Sequence, residues 1–433
     1  MFSKPKLPMY ILLINIHSTQ NAGDLALLEV TLRLLKKVFT QAKFVISANW
    51  PEESVLHGEE VHVVASPWYL VGAGKNRKPR WQAILALLLW FYARFAAMLP
   101  FLERNLLIPR SWRELISAYR QADLVVAVPG NQLFSQGHYG WPLPLLVMAV
   151  DFAHIFHKPL YVLPQSIGPF KRWWEKSLVR SAYGKARLIF LRDWVSMQIA
   201  ETIGLPKEKV QYAPDPAFDY PPANAEEAKI FLQSRGFKPG EPSLGASLIA
   251  RMPSVLDQDK ISRYYEVVAR VLARFSTQHN LSIFLFNQVC GPSVQEDDRI
   301  GTEIVFEKIR AKTEKVQIIE EVLSPSMLKA CYGCMDLFLA SRLHAGIFSL
   351  GMFVPTLFIG YLHKTAGVLE ALGLNDWMVE LDDLDEGELS EKLELAWQER
   401  KERAIFLRNL LPDLLLEITK IGELIIRDYL QWS

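Results

Sequence analysis

Cysteine is scarce in this sequence, with three residues among 433: Cys290, Cys331 and Cys334. An odd number excludes a complete disulfide framework and favours a reducing compartment, so we expect a cytoplasmic protein. Cys331 and Cys334 form a C-x-x-C pair, but neither a second pair nor a histidine set accompanies it at the spacing of a zinc site. We therefore interpret the three cysteines as buried, unreactive thiols and predict no metal site.

A clear excess of charge of one sign is also missing. The chain has 48 Lys and Arg residues against 47 Asp and Glu residues, a formal net charge of +1. Domains that bind nucleic acid normally carry clustered basic residues. We therefore predict no nucleic-acid partner and expect any anion-binding site to be local.

Apolar runs long enough to cross a membrane, about 20 uninterrupted residues, are absent as well. The N-terminal run Met9–Ile16 is short and leads into a polar turn, which indicates a first β-strand rather than a signal peptide. Residues 81–107 are almost wholly apolar and aromatic, but Arg94 and Pro100 interrupt them. Two interpretations stay open for this segment: a helical hairpin buried in the protein, or an interfacial helix in peripheral contact with a membrane. In the second interpretation the preceding basic residues face anionic headgroups: Lys75, Arg77, Lys78 and Arg80.

The sequence is dominated by short β-branched runs that alternate with stretches of helical periodicity. This alternation predicts an α/β fold with parallel sheets, and 433 residues are enough for two domains. We predict two Rossmann-like domains with a ligand cleft between them, at the carboxyl ends of the strands. The predicted boundaries are residues 1–220 for the first domain with its apolar insertion near 81–107, 221–242 for a linker region, 243–383 for the second domain and 384–433 for C-terminal helices.

Four cationic or titratable residues follow two neighbouring strands of the predicted second domain. Arg342 and His344 come after a strand that ends at Ala340, and His363 and Lys364 follow the next strand. Each pair lies at the start of a helix, where unpaired backbone N–H groups already favour an anion. The pattern indicates a phosphate or carboxylate site, although ordinary surface charges remain the alternative.

Six sequence blocks together resemble the ordered motif set of the polysaccharide pyruvyl transferase family. This resemblance implies a two-domain fold like that of B-type glycosyltransferases, phosphoenolpyruvate as the donor, a pair of sugar hydroxyls as the acceptor, and no other cofactor. The blocks are N-A-G-D-L-A from Asn21, P-Q-S-I-G-P-F from Pro164, L-R-D from Leu191, A-P-D-P-A-F from Ala213, R-L-H-A-G-I-F-S-L-G from Arg342 and H-K-T-A-G-V-L-E-A-L-G-L from His363.

The resemblance also implies roles for individual residues. His344 matches the family's histidine at the transferred pyruvyl unit, Arg342 and Lys364 match cations that hold the phosphate and carboxylate, and Arg192 matches a further donor-site arginine. The implied reaction adds a sugar hydroxyl to C2 of the enol, protonates C3 and then releases phosphate as a second hydroxyl closes a cyclic ketal. A histidine has a suitable unperturbed pKa to move these protons. Positive surroundings would favour its neutral form.

Other strand ends carry polar residues with two interpretations each. After the first strand, Gly23 would allow a ligand to approach the backbone and Asp24 would cap the following helix, with Asn21 beside them as a further contact. The family tends to have a glycine-rich turn where this chain has only Gly130, followed by Asn131 as a substitute polar contact. Gln165 and Ser166 either touch the acceptor or belong to a simple turn.

Two acidic features have structural interpretations. Asp215 lies between two prolines, and we expect it to orient Arg192 by an ion pair. Glu296, Asp297 and Asp298 resemble a metal site in composition, but we interpret them as an acidic helix start.

Two other functions remain open. A glycosyltransferase that uses a nucleotide-sugar donor would have the same architecture, and a non-catalytic relative would act in the assembly of envelope polysaccharide. Because Arg342, His344 and Lys364 are all present, we favour an enzyme over a non-catalytic relative. The family resemblance then implies a phosphoenolpyruvate-dependent enzyme of cell-envelope glycan or exopolysaccharide synthesis. The acceptor is then a glycan or a lipid-linked sugar.

Overall fold

A computed structural model describes residues 9–54, 56, 61–73, 77–104, 106–135, 141, 143–250, 257–361 and 363–432 of the chain. The chain divides into two compact units. The first unit consists of Met1–Thr19, Leu27–Asp215 and Glu417–Ser433, and the second of Gln20–Ala26 and Pro216–Leu416.

The first unit contains an eight-stranded sheet in which all recorded strand pairs are parallel. The order is β3-β2-β1-β4-β6-β7-β8, and β5 also pairs with β6. The central strands are buried on both faces, which explains their nearly continuous apolar sequences. The strands are β1 (Tyr10–Ile16), β2 (Lys43–Ala48), β3 (His62–Ala65), β4 (Leu124–Ala127), β5 (Gly130–Leu133), β6 (Leu160–Ile167), β7 (Leu188–Leu191) and β8 (Val210–Tyr212).

The second unit contains a six-stranded parallel sheet with the order β11-β10-β9-β12-β13-β14. This is the Rossmann order, in which the direction of strand addition reverses between β9 and β12. Two parallel α/β sheets are thus present, as predicted. The strands are β9 (Ser243–Ser247), β10 (Ser282–Phe286), β11 (Val316–Ile319), β12 (Leu337–Ala340), β13 (Thr356–Gly360) and β14 (Met378–Glu380).

Helices connect the strands of both sheets and bury their apolar faces against them. Those that begin before Pro216 are α1 (Ala22–Val38), α2 (Pro67–Leu70), α3 (Pro79–Met98), α4 (Arg110–Gln121), α5 (Leu143–Ile155), α6 (Trp173–Tyr183) and α7 (Trp194–Ile203). The later ones are α8 (Ala225–Gln233), α9 (Gln258–His279), α10 (Asp298–Arg310), α11 (Pro325–Tyr332), α12 (Leu343–Gly351), α13 (His363–Ala371), α14 (Glu386–Gln398) and α15 (Arg400–Trp432). Short 3-10 helices cover Pro100–Arg104, Lys207–Lys209, Pro216–Asp219 and Asn375–Trp377.

The units do not coincide with continuous halves of the chain. Residues 20–26, at the start of α1, belong to the second unit, and the last part of α15 belongs to the first. The region 221–242, which the sequence suggested as a linker, contains helix α8 within the second unit.

The apolar segment predicted near 81–107 forms α3 and the 3-10 helix that follows it. By length and composition, α3 is the one helix in the described part of the chain that could cross a membrane. Only 33% of its apolar window is buried inside the protein. One face of α3 packs inward and the other is exposed. The segment is therefore not a hairpin that is buried on all sides.

A buried lysine fixes the beginning of the second unit. Lys329 in α11 is 2% exposed, and its ammonium group donates hydrogen bonds to the carbonyl oxygens of Phe218 and Tyr220 at 2.8 and 2.7 Å. A buried charge is tolerated only where hydrogen bonds replace the lost water. These bonds hold the 3-10 segment Pro216–Asp219 and the residues after it against α11.

We expect Lys329→Met to destabilise the second unit by about 2–4 kcal/mol, because two buried carbonyl oxygens lose their donor. Denaturant unfolding followed by tryptophan fluorescence measures the change. Lys229→Met is the matched control, since Lys229 is on the exposed side of α8 and its side chain is 48% exposed. Equal stability of the two variants would contradict the proposed role of Lys329.

Candidate functional site

The predicted cationic turns lie at one edge of the second sheet. Strands β12 and β13 are parallel neighbours, so the turns after them leave the sheet at the same edge. Arg342 occupies the position before the first residue of α12, and its side chain makes no capping bond to that helix. The Arg342 side chain therefore does not accept from the backbone N–H groups in the first turn of α12, which is where helices bind anions.

This edge includes the point where the strand order reverses. Strand β12 pairs with β9, and the Ser341 amide donates to the Ser247 carbonyl oxygen at 2.9 Å just beyond the two strands. In open α/β sheets, ligands bind outside the carboxyl ends of the strands at such a reversal. Arg342 and His344 thus follow the strand that borders the usual ligand position of this fold.

Arg342 forms a close ion pair with Asp298. Its Nε lies 3.1 Å from both carboxylate oxygens, and its Nη2 lies 2.5 Å from Oδ1. The Arg342 side chain is 12% exposed and that of Asp298 is fully buried. Burial alone would lower the pKa of Arg342, but the Asp298 carboxylate and Tyr361 outweigh it and raise this pKa above its usual value. The guanidinium is therefore permanently charged and held in one plane.

Asp298 connects this pair to two further loops. Its carboxylate accepts the amides of Ala250, after β9, and of Val289, after β10, at 2.9 and 3.0 Å. The neighbouring Asp297 caps α10 and accepts the amide of Arg299. The acidic helix start that the sequence indicated is thus present at Asp297, whereas the pairing of Asp298 with Arg342 was missed. No group of His, Cys, Asp and Glu residues in the described part of the chain could hold a metal ion.

The N-A-G-D block is part of the second unit and packs against the loop after β10. The Ala22 amide donates to the Gln288 carbonyl oxygen at 3.1 Å, and the Cys290 amide donates to the Gln20 carbonyl oxygen at 3.0 Å. Asn21 forms an antiparallel bridge with Val289. A segment from the first 30 residues thus lies beside loops that follow it by more than 250 positions in the chain.

Gly23 makes the closest approach of this block to the predicted site. A Cβ atom added at Gly23 would lie 2.1 Å from Nδ1 of His344 and 2.7 Å from its Cβ. Such distances do not occur between non-bonded atoms, so position 23 has room for glycine only while His344 keeps its place. The sequence suggested that Gly23 lets a ligand approach the backbone; the group that approaches it in the structure is the His344 side chain.

The helix cap in this block differs from the prediction. Helix α1 begins at Ala22, so Asp24 lies inside the first turn rather than at the cap. Asn21 precedes the helix, and its side-chain oxygen accepts the Gly23 amide at 2.9 Å. Its amide nitrogen donates to Asp24 at 3.1 Å. The residue before the helix is thus Asn21, three positions earlier than the cap that the sequence suggested.

The second turn supplies Lys364. Helix α13 begins at His363, which places Lys364, half-buried, in its first turn. The side chain of His363 lies outside the described part of the structure. Tyr361, the residue directly after β13, accepts a hydrogen bond from Arg342.

Arg192 lies in the first unit and is buried there, with 1% exposure. Its Nη1 contacts Asp215 at 2.6 Å, which is the ion pair that the sequence suggested. Its Nε donates to the Ser166 hydroxyl at 2.9 Å, and Ser166 in turn donates to Asp193 at 2.7 Å. The structure therefore places both Arg192 and Ser166 in a buried hydrogen-bond network.

Gly130, Asn131 and Gln165 lie on two adjacent strands of the first sheet. Gly130 of β5 is directly opposite Gln165 of β6. The Gln165 amide nitrogen donates to the Val128 carbonyl oxygen at 3.0 Å. The side-chain oxygens of Asn131 and Gln165 are buried, and neither has a hydrogen-bond partner within the described residues. Buried amide oxygens of this kind usually have a partner, so these two are candidates for ligand contacts.

The three cysteines are free thiols. Cys331 is buried, as expected, whereas Cys290 and Cys334 are only partly buried. Burial is the main cause that raises the thiol pKa, to about 11 for Cys290 and about 12 for Cys331. Thiols with such pKa values are protonated at neutral pH and react slowly.

A model of the polysaccharide pyruvyl transferase family matches residues 21–363. The amylovoran biosynthesis protein AmsJ of Erwinia amylovora is 22% identical over 408 residues, which cover 89% of this chain and 91% of that protein. Among solved structures, a UDP-GlcNAc 2-epimerase from Neisseria meningitidis has a TM-score of 0.59 at 12% identity, covering 98% of this chain and 100% of that chain. A glycosyltransferase from Rickettsia africae has a TM-score of 0.57 at 13% identity, covering 99% and 100%. The fold is thus the B-type glycosyltransferase fold that was predicted.

The contact between Gly23 and His344 can be measured with a double-mutant cycle. We expect Gly23→Ala to destabilise the second unit, because the new methyl group overlaps the histidine. In the background of His344→Gly, which removes the whole histidine side chain including Cβ, the same Gly23→Ala substitution should lower the free energy of unfolding by at least about 1 kcal/mol less. Urea unfolding of the four proteins gives the coupling. Additive effects would mean that the two residues are not in contact.

Proposed function

The chain belongs to the polysaccharide pyruvyl transferase family, and on this premise we propose that it transfers a pyruvyl unit from phosphoenolpyruvate to two hydroxyls of one sugar, forming a cyclic ketal and releasing phosphate. The sugar belongs to an exopolysaccharide or another envelope glycan, either in the polymer or on a lipid carrier. The name of the relative AmsJ, a protein of amylovoran biosynthesis, supports this class of acceptor. The reaction takes place in the cytoplasm, in keeping with three thiols that form no disulfide.

The observation that carries the proposal is the set of residues at the carboxyl edge of the second sheet. Arg342 and His344 lie at the N-terminus of α12, and Lys364 lies in the first turn of α13, after the adjacent strand. Phosphoenolpyruvate is small and carries a phosphate and a carboxylate. Two helix N-termini and fixed cations provide the interactions that such a donor needs.

Arg342 has one fixed orientation for this task. Asp298 accepts from its Nε and Nη2, Nη2 also donates to the Glu296 carbonyl oxygen at 3.4 Å, and Tyr361 accepts a further bond. The plane of the guanidinium is therefore set before any ligand binds. A pre-oriented guanidinium binds a planar carboxylate with little further loss of freedom. In this proposal Asp298 is a positioning residue and Arg342 contacts the donor.

His344 moves protons in both halves of the reaction. In the first half, the oxygen of one sugar hydroxyl bonds to C2 of the enol, the hydroxyl proton is removed and C3 receives a proton to become a methyl group. In the second half, the bond from C2 to the phosphate oxygen breaks, and phosphate leaves with the electron pair. The second hydroxyl oxygen bonds to C2, and its proton leaves with the phosphate. A histidine with a pKa near neutrality suits both transfers.

The first unit has candidate contacts of its own for a part of the acceptor glycan. The buried side-chain oxygens of Asn131 and Gln165 lie on paired strands and are acceptors suited to the hydroxyls of a sugar. Arg192 and Ser166 support this region from within their buried network rather than by direct contact.

Phosphate release from phosphoenolpyruvate is the direct test. It would be measured with a panel of hexose-ended oligosaccharides and their lipid-linked forms, and we expect release only with an acceptor. His344→Ala should lower kcat by about 10²–10⁴-fold, the usual contribution of a proton-transfer group. His62→Ala is the control, because His62 is an exposed residue of β3. Consumption of a nucleotide sugar instead of phosphoenolpyruvate, or full activity of His344→Ala, would overturn the proposal.

The acceptor assignment has a separate test. We expect Asn131→Ala to raise KM for the sugar by about tenfold, the effect of losing one hydrogen bond to a ligand, and to leave KM for phosphoenolpyruvate unchanged. The exposed Gln121 of α4 gives the control variant Gln121→Ala. An increase in KM for phosphoenolpyruvate alone would place Asn131 at the donor and contradict the assignment.

A further inference from the structure

Helix α3 is largely apolar on both of its faces. The buried residues of the face that packs on the first unit are Gln82, Ala86, Leu89, Tyr92, Ala93 and Ala96, and Trp90 donates to Asp151 at 2.7 Å. The outer face is apolar where a surface helix is normally polar. Its exposed large residues are Trp81, Ile84, Leu87, Leu88, Phe91, Phe95 and Met98.

The exposed apolar surface continues beyond the helix. Leu99 and Phe101 are exposed, and Leu106 and Leu107 are 83% and 90% exposed. We call the outer face of α3 together with these four residues the apolar patch. Contiguous apolar surfaces of this kind mark binding sites for proteins or membranes.

The charges in the sequence around the apolar patch are almost all of one sign. Between Val61 and Leu107 there are six Lys or Arg residues and one acidic residue, Glu103, although the whole chain is balanced at 48 to 47. Arg77, Lys78, Arg80 and Arg94 are exposed, and Lys75 lies outside the described residues. Local segregation of this degree favours an anionic partner.

We propose that the apolar patch binds the surface of an anionic lipid bilayer, with α3 lying in the plane of the interface. The exposed Leu, Phe and Trp side chains enter the acyl boundary, and the arginines and lysine contact the lipid phosphates. Trp81 fits this position because tryptophan concentrates at the membrane interface.

The same charges argue against a second copy of the chain as the occupant. A two-fold interface brings the same patch of both subunits together, which would place these cations opposite one another with one carboxylate from the segment, Glu103, against six cations. A span is also disfavoured, because Gln82 and Trp90 anchor the inner face: Gln82 accepts from Trp141 at 2.5 Å and donates to the Arg77 carbonyl oxygen at 2.6 Å.

Vesicle flotation of the full chain tests the proposal. We expect it to float with vesicles of phosphatidylcholine and phosphatidylglycerol in low salt, and to be released by alkaline carbonate as a peripheral protein is. The double variant Leu87→Glu, Phe91→Glu should lose at least about tenfold in binding, because charges must then enter the acyl boundary. Ile230→Glu is the control, since Ile230 is an equally exposed apolar residue, 60%, on α8.

A second pair of variants tests the charge. Arg80→Gln with Arg94→Gln should reduce the preference for anionic over neutral vesicles and its sensitivity to salt. Each variant is checked by thermal unfolding, which should not change because the altered side chains are exposed. No flotation of the wild-type chain, or wild-type binding by the Leu87 and Phe91 variant, overturns the proposal. Binding that resists alkaline carbonate would also overturn it, because it would indicate a transmembrane span. The same holds if the chain binds no vesicles and instead forms a dimer that the Leu87 and Phe91 variant dissociates.

Discussion

The ion pair between Arg342 and Asp298 is the interaction on which the candidate site depends. Asp298 receives hydrogen bonds from the loop after β9, the loop after β10 and the start of α12. Asp298 itself is the first residue of α10, so four segments at the carboxyl edge of the second sheet meet at one buried carboxylate. Removing it would leave a largely buried guanidinium without its main partner, a change that typically costs several kcal/mol. The buried charge thus gives a defined arrangement of loops at the price of desolvation.

Local patterns in the sequence predicted the parts of the structure that local physics determines. The alternation of strands and helices gave the two parallel sheets, and the positions of Arg342 and Lys364 directly after strands placed them at one edge. The ion pair of Arg192 with Asp215 was also foreseen, because both residues lie near strand ends of one domain. These features depend on the spacing of apolar residues and on the order of the elements along the chain, both of which can be read from a sequence.

Contacts between distant parts of the chain were not predictable in the same way. Nothing in the sequence joins Arg342 to Asp298, 44 positions earlier, or Gly23 to His344, and the acidic triplet beginning at Glu296 has an ordinary explanation as a helix start. The cap of α1 was placed three residues late, because Asn and Asp are both good caps and only the backbone decides between them. For residues 81–107, composition could not show which face would pack inward.

Neither compact unit is a continuous stretch of chain, since residues 20–26 complete the second unit and residues 417–433 complete the first. During synthesis residues 20–26 emerge long before the second sheet exists, and residues 417–433 of the first unit emerge only after the whole second unit. Folding of one domain after another is therefore interrupted, because the first unit is incomplete until the second has been made. Dividing the gene between them would give two incomplete polypeptides.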